Sequence, residues 1–158
     1  AADRICFAYF KSYGIDVSII RPFNIYGERQ KEDKYGVLIP IMVKRALGRE
    51  NLWVFGDGIQ TRDYMYVTDL VDSYDLIFNS KNTGGEVYNF GTGKETAVKD
   101  IAEYIAKKLG VTVEYAVSRP GEVTRFCADI SKAEKLGFKP KFGIWQGIDR
   151  YIEWRKNQ

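Results

Sequence analysis

The stretch VFGDGIQTRDYMYVTDL, residues 54–70, places a turn, an arginine, a β-prone run and the start of a helix next to one another. Its Gly56-Asp57-Gly58 step has the composition of a tight turn and is compatible with a simple hairpin. Arg62 stands at the start of the β-prone run DYMYV, so the direction of the preceding loop decides where its side chain points. Thr68 is predicted to cap the following helix, with Asp69 near the positive end of the helix dipole. A strand that leads into a helix is typical of an α/β fold.

The rest of the chain alternates in the same way. Apolar residues at helical spacing predict helices over residues 2–13, 38–47, 68–78, 98–109 and 144–152. Ser131 and Glu134 predict a capping box at the start of a further short helix. Strands are predicted over residues 16–22, 86–90 and 112–117, and a polar loop over residues 23–36. The apolar face of the third helix is predicted to consist of Leu70, Val71, Tyr74, Ile77 and Phe78. Together these elements predict an α/β domain.

The composition predicts one compact domain and excludes several kinds of site. The chain has 158 residues, of which 45% are hydrophobic, enough for a core. Lysine and arginine (24) are mixed with aspartate and glutamate (21), and no basic cluster indicates a nucleic-acid partner. No apolar run reaches the roughly 20 residues of a membrane helix, so no membrane partner and a cytoplasmic location are expected. With no histidine and two distant cysteines, neither a zinc site nor a catalytic Ser–His or Cys–His pair is predicted.

Two turns carry arginines that are candidates for binding an anion. Arg62 follows the glycine turn, and Arg119 lies at the end of a predicted strand, with Pro120-Gly121 and Glu122 after it. The fork of an arginine matches two phosphate oxygens, so both side chains could converge on one diphosphate. The alternative for Arg62 is a surface salt bridge with a nearby aspartate, either Asp63 or Asp69.

Two other motifs look catalytic only at first sight. The segment GTGKET, residues 91–96, lies between a strand and a helix but lacks the full glycine pattern of a dinucleotide loop or a P-loop. A plain strand-to-helix turn is the favoured interpretation. Tyr104 and Lys108 have the Y-x-x-x-K spacing of short-chain dehydrogenases but lie off the apolar stripe of their helix. They are predicted to face solvent.

Four segments, in this order and at these spacings, resemble a known family: RPFNIYGERQ (21–30), VFGDGIQTRDYMYVTDLVDS (54–73), NFGTGKETAVKDIAEYI (89–105) and RPGEVTRFCADISKAEKLGFKP (119–140). They are similar to the C-terminal half of extended short-chain dehydrogenases/reductases of the NAD-dependent epimerase/dehydratase family. Within it the resemblance is to the UDP-glucose 4-epimerases, with nucleotide-sugar dehydratases and UDP-glucuronate decarboxylases as alternatives. A stand-alone nucleotide-sugar binding module is a further alternative.

The resemblance implies an extended Rossmann-type fold with a small mixed α/β substrate-binding lobe. Residues 1–35 would be the last helix, strand and active-site loop of the Rossmann domain. Residues 36–158 would form the substrate-binding region, interleaved with further Rossmann elements. The glycine-rich NAD loop and the catalytic Tyr/Lys pair would precede Ala1, so the chain alone is expected to be inactive. The sheet edge and apolar surface thereby exposed predict a homodimer or self-association.

The resemblance also assigns contacts with the cofactor and the nucleotide base. NAD would be bound mainly by the preceding portion, with Pro22 and Phe23 near the nicotinamide. The ligand would be a UDP-sugar. Its uracil would be packed against, or hydrogen-bonded through the backbone, by Val37, Leu38, Val54 and Phe55.

The remaining implied contacts surround the ribose and the diphosphate. Asn24 would contact the sugar nucleotide, with its amide or backbone donating to the diphosphate. Gln60 would lie near the ribose or a phosphate, and Glu122 would accept a hydrogen bond from a ribose or uridine-side hydroxyl. Arg62 and Arg119 would clamp the diphosphate. No metal and no catalytic residue are expected in this chain.

Overall fold

The computed structural model describes residues 1–31 and 37–158. The helices are α1 (Ala2–Tyr13), α2 (Leu38–Leu47), α3 (Val67–Asn79), α4 (Val98–Leu109), α5 (Ser131–Lys135) and α6 (Ile144–Lys156). The strands are β1 (Ile19–Pro22), β2 (Ile25–Tyr26), β3 (Leu52–Phe55), β4 (Thr61–Arg62), β5 (Met65–Tyr66), β6 (Val87–Phe90), β7 (Thr96–Ala97), β8 (Val113–Ala116) and β9 (Arg125–Phe126). The predicted alternation of strands and helices is therefore confirmed.

Most strand pairs are parallel and join segments far apart in the chain. β1 pairs with β6, β2 with β5 and β3 with β8, each in parallel. In the remaining sheet, β4 lies between β7, which is antiparallel to it, and β9, which is parallel. Because β3 and β4 pair with different partners, the glycine turn between them is not a hairpin, and that interpretation is wrong.

The predicted loop over residues 23–36 is described only in part, because residues 32–36 lie outside the described residues. Within it, Ile25 and Tyr26 form the short strand β2. Tyr26 is 1% exposed, and its hydroxyl donates to the carbonyl oxygen of Ile144 at 3.1 Å. Burying this aromatic side chain contributes favourable free energy, so this part of the segment joins the core although its neighbours are polar.

Two apolar clusters form the core. The larger one joins α2, α4, α6 and β3, and its fully buried members include Ile39, Leu52, Ile101 and Ile148. The second cluster lies around β6 and α5 and includes Phe90 and Phe138, whose rings meet edge to face at 4.8 Å. The larger cluster fixes α2, β3 and the start of α4 relative to one another.

The start of α3 differs from the prediction. The helix begins at Val67 with Tyr66 as its N-cap, and no side chain caps it. Thr68 therefore lies inside the first turn, where its buried Oγ1 has no hydrogen-bond partner among the described residues. The carboxylate of Asp69 instead accepts hydrogen bonds from the backbone nitrogens of Lys141 (3.1 Å) and Phe142 (3.2 Å). The predicted cap is wrong because the helix starts at Val67, before Thr68. Asp69 connects the helix to the segment before α6.

The predicted capping box of α5 is also wrong. Ser131 is the first helical residue, and the N-cap position is occupied by Ile130, without a side-chain cap. Oδ1 of Asp129 accepts the hydrogen bond from the backbone nitrogen of Ser131 at 3.0 Å. This hydrogen bond lowers the pKa of Asp129 below its ordinary value.

Tyr104 and Lys108 contact another helix and do not simply face solvent. The Tyr104 hydroxyl donates to Oδ1 of Asp149 at 2.6 Å, and its ring packs against Trp145 at 4.8 Å. Lys108 forms an ion pair with the same carboxylate. The Y-x-x-x-K spacing therefore serves the contact between α4 and α6, and the prediction of a solvated face is corrected.

Part of the apolar surface remains uncovered. In α3, Val71, Tyr74 and Phe78 were predicted to be buried but are 62%, 56% and 88% exposed. Helix α1 has no buried residue, and its Tyr13 is 72% exposed. No helix among the described residues combines the length and the apolar character that a membrane span requires.

Candidate functional site

A cavity of about 360 Å³ opens between α2, the end of β3 and the loop after β8. Its apolar wall consists of Leu38, Ile41, Met42, Trp53, Phe55 and Val98. Its polar groups are the side chains of Arg45, Gln60, Arg119 and Glu122. A mostly apolar cavity with a few polar groups is the usual form of a small-ligand site.

The alternation of β3 explains the apolar wall. Leu52 and Val54 are fully buried in the core, whereas Trp53 and Phe55 line the cavity. Successive side chains of a strand point to opposite faces, so the predicted contact residues Val54 and Phe55 cannot share one face. Phe55 is brought to the cavity and Val54 is not. Trp53 was missed by the sequence reasoning, although the same alternation signals it.

Helix α2 supplies the opposite side. Leu38 is its first residue, and Val37 is its N-cap in an extended conformation. Leu38 lines the cavity, while Val37 packs against the larger core cluster. Ile41, Met42 and Arg45 follow Leu38 at helical spacing on the cavity side, and Arg45 was not predicted.

The guanidinium group of Arg119 lies over the ring of Phe55. The carbon of its guanidinium group is 3.7 Å from the ring centroid, which is a cation–π contact. Stacking of this kind uses the face of the guanidinium and leaves its N–H edge available. The contact therefore presents N–H donors at the rim of the cavity.

Gln60 connects two parts of the cavity wall. Its side chain is 8% exposed, and its Nε2 donates to the carbonyl oxygen of Phe55 at 3.1 Å. The same nitrogen donates to Oε1 of Glu122 at 3.2 Å. Gln60, Arg119 and Glu122, all predicted site residues, are thus brought together at one cavity.

Arg62 lies on the next strand and does not line this cavity. Its Nη1 donates to the carbonyl oxygen of Thr61 at 2.7 Å. Burial raises the pKa of Tyr64 above its usual range, the charge of Arg62 lowers it, and the charge of Glu122 raises it again. Arg62 and Glu122 therefore act on the same buried hydroxyl.

Asp63 is a buried hub that the sequence reasoning missed. Its Oδ1 accepts hydrogen bonds from the backbone nitrogen and Oγ1 of Thr92, and its Oδ2 from the backbone nitrogens of Gly93 and Ala128. A Cβ on Gly91 would lie 2.5 Å from Oδ2 of Asp63, so the close approach requires glycine. The backbone N–H groups of Thr92 and Gly93 are thus occupied within the chain, which favours a plain structural turn. The turn connects β6 to the short strand β7, which leads directly into α4.

The aspartates considered as partners of Arg62 are used elsewhere. Asp63 accepts hydrogen bonds from the Gly91–Gly93 turn, and Asp69 accepts hydrogen bonds from the segment before α6. None of the ion pairs between described residues joins Arg62 to either of them. The salt-bridge alternative is therefore not observed in the described part of the chain.

The predicted cofactor and diphosphate residues near β1 form a separate group. Pro22 ends β1, and the ring of Phe23 stacks on Phe126 at 4.8 Å. Nδ2 of Asn24 donates to the carbonyl oxygen of Asp63 at 3.0 Å, and Asn24 has a φ of 28°. An amide NH₂ has two N–H groups, and the second one of Asn24 has no acceptor among residues 1–31 and 37–158.

Comparison with known proteins identifies the family. The family model described as GDP-mannose 4,6 dehydratase matches residues 1–151. The chain belongs to that family. A Methanocaldococcus jannaschii protein with the provisional name UDP-glucose 4-epimerase is 41% identical over 151 residues, which are 94% of this chain and 48% of that protein.

Solved structures of family members agree with this assignment. UDP-glucose 4-epimerase from Thermotoga maritima, solved with UDP-glucose, is 30% identical, with a TM-score of 0.90 over 98% of this chain and 50% of that one. dTDP-glucose 4,6-dehydratase from Bacillus anthracis, in complex with NAD, is 34% identical, with a TM-score of 0.87 over 99% and 50%. The predicted epimerase/dehydratase family and α/β fold class are confirmed. The chain spans about half the length of these relatives.

The Gly91–Gly93 turn does not fit the dinucleotide loop that NAD-binding members of such a family need. A dinucleotide loop offers free backbone N–H groups to the pyrophosphate. Here the backbone nitrogens of Thr92 and Gly93 donate to Asp63. Among residues 1–31 and 37–158 there is also no cluster of three or more His, Cys, Asp or Glu that could hold a metal ion.

Proposed function

We propose that the chain is the nucleotide-sugar-binding portion of an NAD-dependent nucleotide-sugar 4-epimerase, with a UDP-hexose as ligand. The observation that carries the proposal is the cavity in which Leu38 and Phe55 provide an apolar wall and Arg119 and Glu122 converge at the rim. Membership of the family supports it, as does the 41% identity to the archaeal relative.

The charges and shapes of the cavity suit the parts of a UDP-sugar. The apolar wall would take the uracil ring between α2 and the end of β3. The N–H edge of Arg119 would bind the diphosphate, and Arg62 on β4 would be the second clamp. The carboxylate of Glu122 would accept a hydrogen bond from a ribose hydroxyl. We assign Val37 and Val54 to the uracil through their backbone and the free amide N–H of Asn24 to the diphosphate.

NAD and the catalytic residues belong to the wider proposal. The chain spans about half the length of its relatives, so we propose that residues outside it bind the NAD pyrophosphate and supply the catalytic groups. Pro22 and Phe23 would lie near the nicotinamide. NAD would supply hydride transfer when bound, and this chain would hold the nucleotide in place. The chain alone would be inactive, and a cytoplasmic setting is part of the proposal.

Restriction of the contacts to the nucleotide has a mechanistic reason. In a 4-epimerase the hexose must turn within the site between loss and return of hydride. Tight binding of the nucleotide and loose binding of the hexose permit that rotation. The polar groups at the rim, Arg119 and Glu122, suit such a division because the proposal assigns them to the diphosphate and the ribose.

Related activities are the second candidate. The Bacillus anthracis relative, a dTDP-glucose 4,6-dehydratase, is 34% identical, which favours a nucleotide-sugar dehydratase nearly as much as an epimerase. A UDP-glucuronate decarboxylase and a stand-alone, non-catalytic nucleotide-sugar binding module are further candidates for the same cavity. All four candidate functions, including the epimerase and the dehydratase, assign a nucleoside diphosphate to it. Binding of the nucleotide is therefore the first property to test.

The test is calorimetric titration of the 158-residue chain with UDP, dTDP and GDP, beside an Arg119→Ala variant. We expect saturable UDP binding that this variant weakens at least about tenfold, since a charge-assisted hydrogen bond is lost. Arg4→Ala, an exposed arginine of α1, is the matched control and should bind as the unaltered chain does. Absence of UDP binding, or equal binding by Arg119→Ala, would overturn the proposed site.

The apolar surface left uncovered on α1 and α3 supports a further part of the proposal. We propose that the chain associates with a second copy of itself through exposed apolar residues of these two helices. The exposed side chains are Ile5, Tyr9, Tyr13, Val71, Tyr74 and Phe78. Exposed apolar patches of this kind commonly mark contact surfaces.

A further inference from the structure

We propose that Gln60 is a positioning residue, which holds the carboxylate of Glu122 in place to bind a ribose hydroxyl. The inference rests on the proposed function, because it needs a nucleotide in the cavity. It changes the role expected for Gln60. The resemblance places this residue near the ribose or a phosphate of the ligand. In the structure its amide nitrogen donates to two groups of the protein, the carbonyl of Phe55 and Oε1 of Glu122.

The Gln60 side of this contact is firmly anchored. The carbonyl oxygen of Gln60 accepts a hydrogen bond from the backbone nitrogen of Val98 at 3.0 Å, and that of Gly58 accepts one from Lys99 at 3.0 Å. These bonds satisfy donors in the first turn of α4, which would otherwise lack partners. Gln60 is also largely buried. Its amide is therefore a fixed point in the wall.

The Glu122 side is an exposed loop between β8 and β9. Its ends are held by backbone hydrogen bonds from Gly56 to Ala116 and from Thr61 to Thr124, both 2.9 Å long. Between these ends, Glu122 is exposed to solvent. A long, exposed glutamate samples many rotamers unless a partner restrains it. The hydrogen bond from the buried amide supplies that restraint, so positioning acts from Gln60 toward Glu122.

The chemistry of the amide fits this role closely. Both of its neighbours, the carbonyl oxygen of Phe55 and the carboxylate of Glu122, are acceptors, so the NH₂ end must face them. Its two hydrogens match these two acceptors. Oε2 of the carboxylate remains available to accept from a ligand hydroxyl. A glutamate at position 60 would instead set two carboxylates against each other.

This arrangement predicts discrimination between sugars within the nucleotide. A ribose presents hydroxyl donors that Glu122 can accept, and a 2′,3′-dideoxyribose does not. Loss of Gln60 should therefore weaken the binding of a ribonucleotide and leave the dideoxy analogue almost unaffected. A purely structural role for Gln60 would weaken both nucleotides equally.

The experiment is calorimetric titration of the whole 158-residue chain with UDP and with 2′,3′-dideoxy-UDP. We expect the unaltered chain to prefer UDP by about tenfold, as a hydrogen bond to a charged group allows. Gln60→Leu should reduce this preference to about twofold or less, with the Kd of the dideoxy analogue changed by no more than about twofold. Glu122→Ala, which removes the acceptor, should lose the preference in the same way, and the double variant should add no further loss.

The outcomes separate this inference from the proposed function. If the unaltered chain does not bind UDP, the proposed function is overturned, and this inference with it. If UDP binds and Gln60→Leu keeps the preference, or weakens both nucleotides alike, only the positioning role is overturned. Gln60→Met, which keeps the length of the side chain, replaces Gln60→Leu if circular dichroism shows the latter to be unfolded.

Discussion

Two hydrogen bonds join Thr92 to the carboxylate of Asp63, one from its backbone nitrogen at 2.8 Å and one from its Oγ1 at 2.6 Å. The backbone nitrogen of Gly93 adds another at 2.9 Å, and Asp63 is fully buried. The carboxylate therefore links the segment after β4 to the turn between β6 and β7. The Gly91–Gly93 turn resembles a phosphate-binding loop in its glycine content, but its N–H donors at Thr92 and Gly93 are bound by Asp63.

Replacement of Asp63 should destabilise the fold. Asp63→Ala removes the acceptor of four hydrogen bonds, among them the one from the buried backbone nitrogen of Ala128. We expect the free energy of unfolding to fall by about 3 kcal/mol. Urea denaturation followed by circular dichroism measures this loss. Asp57→Ala is the matched control, because within the described part of the chain its carboxylate accepts only from the backbone nitrogen of Ile59, at an exposed turn. It should cost about 1 kcal/mol or less. Equal losses in the two variants would contradict the role of Asp63.

The elements that sequence could predict are those with strong local patterns. The apolar spacing of α2 and α4 gave bounds close to those observed, because both helices bury that face in the larger core cluster. Helix ends were predicted less well. At Thr68 the local capping pattern was present, but the helix begins one residue earlier, and Asp69 accepts from backbone nitrogens 72 and 73 residues away. At Ser131 a competing local contact was present, because Asp129 accepts from the backbone nitrogen of Ser131. Tertiary contacts and competing local contacts both override capping preferences of about 1 kcal/mol.

The candidate site was predictable in part, because several of its residues belong to strong local patterns. Arg119, Glu122, Gln60, Phe55 and Leu38 lie on recognisable motifs, and the structure brings them to one cavity. Asp63 was missed because its partners Thr92 and Ala128 are 29 and 65 residues away. No local pattern of sequence reports such contacts. The exposure of Phe78 was equally hidden, because an apolar helix face gives no information on what covers it.

The stability of the chain should depend on pH through Asp69. Burial raises the pKa of this carboxyl above its ordinary value of 3.8. Because the folded carboxyl keeps its proton to higher pH than the unfolded one, its contribution to stability is full below the unfolded pKa and is lost as the pH rises through the folded pKa. We therefore expect the free energy of unfolding, measured relative to Asp69→Asn, to fall as the pH rises from about 4 to 7.

Urea denaturation at a series of pH values checks this expectation. Asp75→Asn, which changes an exposed aspartate of the same helix, controls for the change in net charge. If the free energy of unfolding of the unaltered chain instead rises relative to that of Asp69→Asn over this pH range, the expected direction is contradicted.

Gly58 should tolerate no larger side chain. It has a φ of +71°, and an added Cβ would lie 2.7 Å from Cγ1 of Val54 and 2.8 Å from Cβ of Lys99. We expect Gly58→Ala to lower the free energy of unfolding by about 3 kcal/mol, from backbone strain and overpacking together. Gly121→Ala is the matched control, with a φ of +75° and no atom within 4 Å. It should cost about 1 kcal/mol from strain alone. Thermal denaturation of both variants gives the difference, and equal losses would show that the space around Gly58 can adjust.

Self-association should depend on the exposed face of α3. Phe78 is 88% exposed and Val71 62% exposed, and covering them removes apolar surface from water at about 25 cal/mol per Å². We expect sedimentation velocity to show a sedimentation coefficient that rises with protein concentration. The double variant Val71→Ser/Phe78→Ser should sediment as a monomer over the same range. Val117→Ser controls for the loss of an apolar side chain, because Val117 is also 88% exposed but lies in the loop beside the cavity. A chain that remains monomeric at every concentration, or a double variant that associates as strongly, would contradict a role for this face.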